Sequence, residues 1–433
     1  MPAAPSKDAP LIIVGAGVFG LSLAYDLASN RGYTSITVLD RFMPPVPDGS
    51  SVDVSRIIRS EYADPFYAAL AADALAAWQT PEWADQFHES GFAMISTRGN
   101  PYMQKYRDMR RGQEKQQPLD VFEAGEAGKR MRELYPGVKT DFTGATVIKN
   151  DGGGWANAHD AIRGLAARCS LAGVSFITGT HGTVESLERA GSRITGVKTA
   201  AGTRLSTDTV VLATGAWTNN LVPDISHNIM AVGQPVGFIQ LSPQEAAGMR
   251  GMPVMMDMDS GVFCFPPTPD THQVKLARHG FGFATQVQVG KGRVISSPKL
   301  KESNAASGYL PEDAEQALRQ GARFFFPQVS DRPWAKLRMC WYTDTPEGDF
   351  VVDHHPTMDG LFLATGGSGH AFKFLPVIGR HIADCLEGKA GPEMRGKWAA
   401  RGRASVQTTA MGGDGSRGGP QMRVLAGKEQ AKL

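Results

Sequence analysis

Short apolar runs of β-branched type recur along most of the chain, each closing on glycine or on an acid. Leu11-Ile12-Ile13-Val14 is the first and suits a strand buried on both faces. Gly15-Ala16-Gly17-Val18-Phe19-Gly20 follows, then Leu21 to Ala28 with helical spacing, then Ile36-Thr37-Val38-Leu39 ending on Asp40. This order predicts a βαβ unit at the start of the chain. Thr209 to Gly215 and Leu361 to Gly367 are similar runs, and both contain Leu-Ala-Thr-Gly. Strands of one buried parallel sheet are therefore predicted to be dispersed over the chain. The expected fold class is α/β, with a Rossmann-like dinucleotide domain discontinuous over 1–90, 146–220 and 336–400. Segments 91–145 and 221–335 look different. They mix alternating strands (Gly261 to Phe265, Gln273 to Leu276) with an amphipathic helix (Pro311 to Phe324). These predict an inserted α+β substrate domain on a mainly antiparallel sheet. From Arg401 the chain is Gly-rich and polar, with six basic and two acidic residues over 401–433. That composition predicts an extended surface tail.

A chain of 433 residues, 42% of them hydrophobic, is long enough for two structural units with large cores. The 45 basic and 43 acidic residues nearly cancel, leaving a formal charge of +2. Nothing global points to nucleic acid or a membrane surface as partner. No run approaches the roughly 20 apolar residues of a membrane span. Met1 to Pro10 is Ala/Pro-rich and lacks the apolar core of a signal peptide. The four cysteines, Cys169, Cys264, Cys340 and Cys385, are far apart and form no CxxC pair. Neither a metal site nor a disulfide framework is expected.

Gly15, Gly17 and Gly20 form G-x-G-x-x-G between a predicted strand and helix, with Val18 and Phe19 inside the motif. The first glycine permits the tight turn, the second lets a pyrophosphate approach the backbone, and the third lets helix and strand pack closely. The helix N-terminus supplies N–H donors and partial positive charge. Asp40 lies 20 residues beyond Gly20, where an acid accepts ribose hydroxyls, and Arg41 follows it. No second complete fingerprint occurs, as an enzyme using both FAD and a nicotinamide would need. Val184 lies in a strand-like stretch that suits either an adenine neighbour or a core valine.

Three longer motifs carry a resemblance. Arg338 to Pro346, with Phe350-Val351-Val352-Asp353 and His355-Pro356, resembles the segment that bears the covalent flavin in monomeric sarcosine oxidase. Gly366 to Phe374 resembles that family's C-terminal flavin-binding motif, and Ser55-Arg56-Ile57-Ile58-Arg59 its N-terminal active-site motif. Gly154-Trp155-Ala156 and Pro376 to Gly379 are similar to fungal amadoriases and to saccharopine or pipecolate oxidases. The resemblance runs from about Leu11 to Gly388. It implies one FAD per chain, bonded through Cys340. It adds Ser50, Ser51, Arg56, Ala213, Gly215, Trp217, Gly367, Gly369, His370, Phe372 and Lys373 to the cofactor-binding set. It implies that Arg59 and Lys373 hold a substrate carboxylate and that Arg56 lies beside the flavin. It also implies that Tyr342 packs over the substrate and that Lys275 promotes the reaction with oxygen. The implied activity is oxidation of a carboxylate-bearing secondary amine: hydride transfer to flavin, imine hydrolysis and hydrogen peroxide, by a monomer.

Departures from the family patterns narrow the substrate. Ser51 and Val52 stand where sarcosine oxidases carry histidines. Amadoriases have lysine at the Arg56 position, lack an arginine at Arg59, and carry a glutamate near His279 when they act on fructosyl lysine. Asp53 to Arg59 with Cys340-Trp341-Tyr342 looks most like fungal saccharopine and pipecolate oxidases. Fructosyl amino acid oxidase and sarcosine oxidase are the alternatives. A flavin dehydrogenase serving a protein acceptor is the competing class, and Lys275 speaks against it. The chain ends Ala431-Lys432-Leu433, close to the Ser-Lys-Leu peroxisomal address. A peroxisomal import receptor is the implied partner, with the cytoplasm as the location otherwise.

Overall fold

A computed structural model of the chain describes residues 4–111, 119–290, 292–300, 307–401 and 411–433. The part of the tail at 402–410 lies outside the described residues.

The dispersed apolar runs meet in one six-stranded sheet. Its order is Val351–His354, Leu361–Thr365, Thr209–Leu212, Leu11–Val14, Ile36–Leu39 and Ser175–Ile177. All neighbours are parallel except the first pair. Leu11 faces both Thr209 and Ile36 in register, so the first strand is central. Central parallel strands are covered on both faces, which is why they read as continuous apolar runs. Helices Val18–Asn30, Ala158–Leu171 and Ile378–Leu386 pack together on one face through Leu21, Leu23, Ile162, Leu165 and Ile382. Each such side chain, fully buried, stabilises the fold by about 1.5–3 kcal/mol before entropy is counted.

The second sheet has ten strands and is mainly antiparallel. Its longest strand, Met230–Gln240, pairs with Gln273–Arg278 on one side and with Lys336–Asp344 on the other. The amphipathic helix Glu312–Phe325 buries Ala314, Leu318, Ala322 and Phe325 against this sheet, one residue out of step with the expected span. The architecture is thus the expected α/β sheet with an inserted α+β unit.

Three placements correct the sequence reading. Strand Thr146–Asn150 pairs with Phe92–Ser96 in the large sheet and does not belong to the dinucleotide unit. Strand Lys336–Asp344, which carries Cys340, also belongs to the large sheet. Its outer neighbour Val351–His354 returns to the parallel sheet, so Cys340 hangs from the second unit and faces the first. The tail is not mainly an extended surface segment. Over 411–433, Met411, Ser416, Arg417, Leu425 and Leu433 are buried, and Arg423–Val424 adds a short strand beside Phe283–Ala284.

Candidate active site

The glycine turn is built as a cradle. Gly15 has φ +111°, and a Cβ on it would overlap the carbonyl of Ala213. Helix Val18–Asn30 starts on Gly17 with no side-chain cap. The Val18 N–H donates to Ser51 Oγ at 2.9 Å, which binds the loop before Arg56 to the helix start. Asp40 accepts from the Ala16 N–H at 2.7 Å and from the Arg41 N–H at 2.6 Å. Arg41 pairs with Asp48 at 2.7 Å and lies 4.5 Å from the Trp217 ring centre. Gly179 donates to the Arg41 carbonyl at 3.1 Å, so the turn leading into Val184 adjoins the Asp40–Arg41 corner. Phe19 lies against the position of Gly367. The donors of an uncapped helix start, the acid at the strand end and the close backbone approach fit an ADP-bearing cofactor.

A cavity of about 920 Å³, counted to its open mouth, lies between the two sheets. Arg56, Arg59, Cys340, Tyr342, Gly369, His370, Phe372 and Lys373 all line it, so three separate motifs converge there. Gly369 has φ +76°, and a Cβ on it would enter the Tyr342 ring. Glycine is therefore required where that turn passes under the tyrosine.

The cations of the site divide into two groups. In the first, Asp53 is a hub for three of them. Its Oδ2 meets Lys275 Nζ at 2.8 Å, Arg338 at 2.7 Å and Arg56 at 2.5 Å. Burial opposes ionisation of Asp53, but Lys275, Arg338 and Arg56 together hold its carboxyl well below the usual range. Lys275 is 1% exposed and donates to the Ser55 carbonyl at 2.6 Å. Burial pushes its ammonium down to about 7, with Asp53 opposing the fall. It sits one layer behind the cavity wall and is not among the residues that line it. Arg56 links this hub to the cysteine, with Nη2 3.6 Å from Cys340 Sγ. Ser50 donates its hydroxyl to the Trp341 carbonyl and so ties the loop to the cysteine strand.

In the second group, Arg59 and Lys373 have no carboxylate within ion-pair distance among the described residues. Arg59 is 7% exposed, stacks near Tyr62 and Phe92, and its Nη1 has no hydrogen-bond partner. Lys373 donates to the Tyr62 hydroxyl at 2.8 Å and to the His370 carbonyl at 3.0 Å. Burial, and then repulsion from Arg59, hold its ammonium well below the usual lysine range. His370 Nδ1 is 2.8 Å from the Tyr62 oxygen, and burial, then Lys373, take its pKa down to about 3.

Sequence reasoning gave no role to Asp53, although it stood inside a quoted motif. It missed Tyr62 and the tail residues Asp414, Ser416 and Arg417, which also line the cavity or adjoin it. Arg417 pairs with Asp344 at 2.6 Å, both side chains 1% exposed. The other cysteines, Cys169, Cys264 and Cys385, are buried away from the cavity. Among the described residues no cluster suits a metal ion, and no helix is long and apolar enough to cross a membrane.

Fold and site together define a flavoprotein oxidoreductase with a dinucleotide cradle opening on a substrate cavity. The family model for FAD dependent oxidoreductases matches residues 10–385, and the chain belongs to that family. It is 32% identical to L-saccharopine oxidase of Schizosaccharomyces pombe, over 90% of this chain and 93% of that protein. It is 26% identical to a monomeric sarcosine oxidase of Arthrobacter, over 87% and 92% of the two chains. The crystal structure of amadoriase II, a fructosamine oxidase of Aspergillus fumigatus, superimposes with a TM-score of 0.85 at 29% identity, covering 97% and 96%. The expected resemblance, the fold class and an FAD-dependent oxidoreductase of amine C–N bonds all stand on these findings.

Proposed function

We propose that the chain oxidises a secondary amine bearing a carboxylate, an N-substituted or cyclic amino acid of the saccharopine or pipecolate kind. Oxygen is the acceptor and hydrogen peroxide a product. The observation that carries this reading is the unpartnered Nη1 of the buried Arg59, beside a Lys373 that also has no carboxylate. A buried guanidinium with a free donor is costly unless an anion completes it. An entering carboxylate supplies the missing acceptor and favours the charged form of Lys373. FAD supplies the two-electron oxidation of the C–N bond and returns the electrons to oxygen. The protein's part is to hold, orient and exclude water: Arg59 and Lys373 at the carboxylate, Tyr342 as a wall, the glycine turn and Asp40 at the cofactor's nucleotide end.

Covalent attachment of FAD through Cys340 belongs to the same proposal. It is supported by Cys340 being the one cysteine that lines the cavity, beside Arg56. Lys275 is assigned the oxygen half-reaction, as a buried cation whose charge would stabilise developing superoxide. We assign the enzyme to the peroxisome on the tripeptide Ala431-Lys432-Leu433 and its peroxide product, and propose a monomer on its similarity to monomeric sarcosine oxidase. Leu433 is buried at 7% exposure, while Ala431 and Lys432 are exposed, with Lys432 Nζ 5.3 Å from the Tyr309 ring centre.

The test compares acid and methyl ester forms of one N-alkyl amino acid in the native enzyme and in Arg59→Ala. The acid is expected to be preferred by the native enzyme. The variant should lose about tenfold to a hundredfold in kcat/KM for it, as for one charge-assisted hydrogen bond. Equal turnover of acid and ester by the native enzyme would overturn the reading.

A further inference from the structure

The cavity is lined by several cations and, among the described residues, one carboxylate. Of its lining cations, Arg59, Lys373 and Arg278 make no ion pair among the described residues. Arg56 is matched by Asp53 and Arg417 by Asp344, while Arg278 donates to the Ser260 carbonyl. Asp414 is the one carboxylate among the described residues that line the cavity.

The segment presenting Asp414 is built into the fold. Arg417 donates to the Gly280 carbonyl at 2.8 Å as well as to Asp344. The Gly413 N–H donates to the Pro346 carbonyl at 3.0 Å, and the Gly418 N–H to the His279 carbonyl at 3.1 Å. Asp414 Oδ1 accepts from the Ser416 N–H at 3.0 Å and from its hydroxyl at 2.5 Å. That serine oxygen is also 3.0 Å from His279 Nε2. No described residue donates to Asp414 Oδ2. Asp414 is solvent-exposed among the described residues. The enclosing protein raises the carboxyl, but His370, the Ser416 hydrogen bonds and His279 outweigh that and take it to about 2. It is ionised throughout the physiological range.

A carboxylate with one free oxygen, in the same cavity as cations that make no ion pair, suits a ligand that carries both an anionic and a cationic group. We propose that Asp414 is a specificity-determining residue that binds a protonated primary amine carried by the substrate away from the oxidised C–N bond. The site then selects N-substituted diamino acids over N-alkyl or cyclic monoamino acids. This deepens, and rests on, the reading of the cavity as a site for carboxylate-bearing amines.

The experiment uses the full-length holoenzyme and a matched pair: saccharopine and its analogue lacking the primary amino group. Peroxide formation gives kcat/KM for each. A compound that is not turned over is measured by its Ki against one that is. The native enzyme is expected to favour the amino compound by about tenfold or more, the scale of a charge-assisted hydrogen bond. Asp414→Asn should abolish that preference, bringing the two compounds within about twofold of each other. Asp414→Glu should keep the preference, which separates charge from packing. Equal values for the pair in the native enzyme would overturn the proposal, as would a preference that survives Asp414→Asn. So would tighter binding of both compounds to Asp414→Asn, the sign of a carboxylate that competes with substrate for Arg59. The acid-and-ester comparison in Arg59→Ala reads Arg59 alone, so failure there is distinguishable from failure at Asp414.

Discussion

Asp53 holds three buried cations with one carboxylate, and Asp53→Asn leaves all three without their counter-charge. The amide keeps one acceptor and turns a donor toward groups that only donate. Removing one partner of a buried ion pair costs about 3–5 kcal/mol, because the charge left behind is uncompensated. Arg56 and Arg338 cannot release a proton, but Lys275 can, since burial already brings it to about 7 with Asp53 opposing. Without Asp53 its pKa falls further. The sign follows from proton counting. Between the folded value of about 7 and the ordinary lysine value, the unfolded chain binds more protons than the folded one. Stability therefore rises with pH across that window, and the burden of holding a buried ammonium disappears above it. In Asp53→Asn the window extends to lower pH. The deficit should be largest near pH 6 and shrink toward pH 9, with the arginine share remaining. Urea unfolding of the holoenzyme at both pH values measures it. Asp53→Asn/Lys275→Met should be more stable than Asp53→Asn alone, with a coupling on the order of 1–3 kcal/mol. A deficit within about 0.5 kcal/mol, or strict additivity with Lys275→Met, would refute the hub.

Cys340→Ala should release FAD on acid precipitation where the native enzyme retains it in the pellet. Release caused by a change at Cys169, Cys264 or Cys385 instead would reassign the anchor. Lys275→Met should slow reoxidation of the reduced enzyme by orders of magnitude in stopped flow, with amine oxidation changed less. An unchanged reoxidation rate would remove Lys275 from the oxygen reaction. Replacing Leu433 by Asp should lower stability by about 1–3 kcal/mol, because a charge replaces a buried side chain. An unchanged melting curve would show that Leu433 is not docked in solution.

The dinucleotide half was legible because its rules are local. A turn that needs positive φ selects glycine, strands covered on both faces become apolar runs, and an acid closes the second strand. The domain edges were not. Lys336–Asp344 and Val351–His354 are neighbours in sequence, yet the first pairs with Met230–Gln240 and the second with Leu361–Thr365. No feature of a strand names its partner. Lys275 shows the same limit at residue scale. Alternation along Gln273–Arg278 is equally compatible with a lysine facing solvent. Only Asp53, more than two hundred residues earlier, makes the buried position tenable.

The tail departs from the expected surface segment for a related reason. Gly-rich, polar, basic sequence predicts a solvated segment because it has too little apolar surface to cover the entropy of ordering. Here order comes from a few buried apolar anchors, Met411, Leu425 and Leu433, and from polar partners supplied elsewhere. Arg417 meets Asp344 and the Gly280 carbonyl, and Arg423 meets Asp313 and Glu429. The glycines among them let the backbone lie close, as Gly418 does against Gly261. Apart from these buried anchors, the tail's sequence answers mainly to the positions of its polar partners and to what its free groups face. Asp414 has a free oxygen toward the cavity, while Arg417 is spent on Asp344. The wall that the tail adds is therefore the part of the cavity whose charge can change without rebuilding either sheet. That makes it the place where substrate preference can diverge on a shared flavoprotein frame.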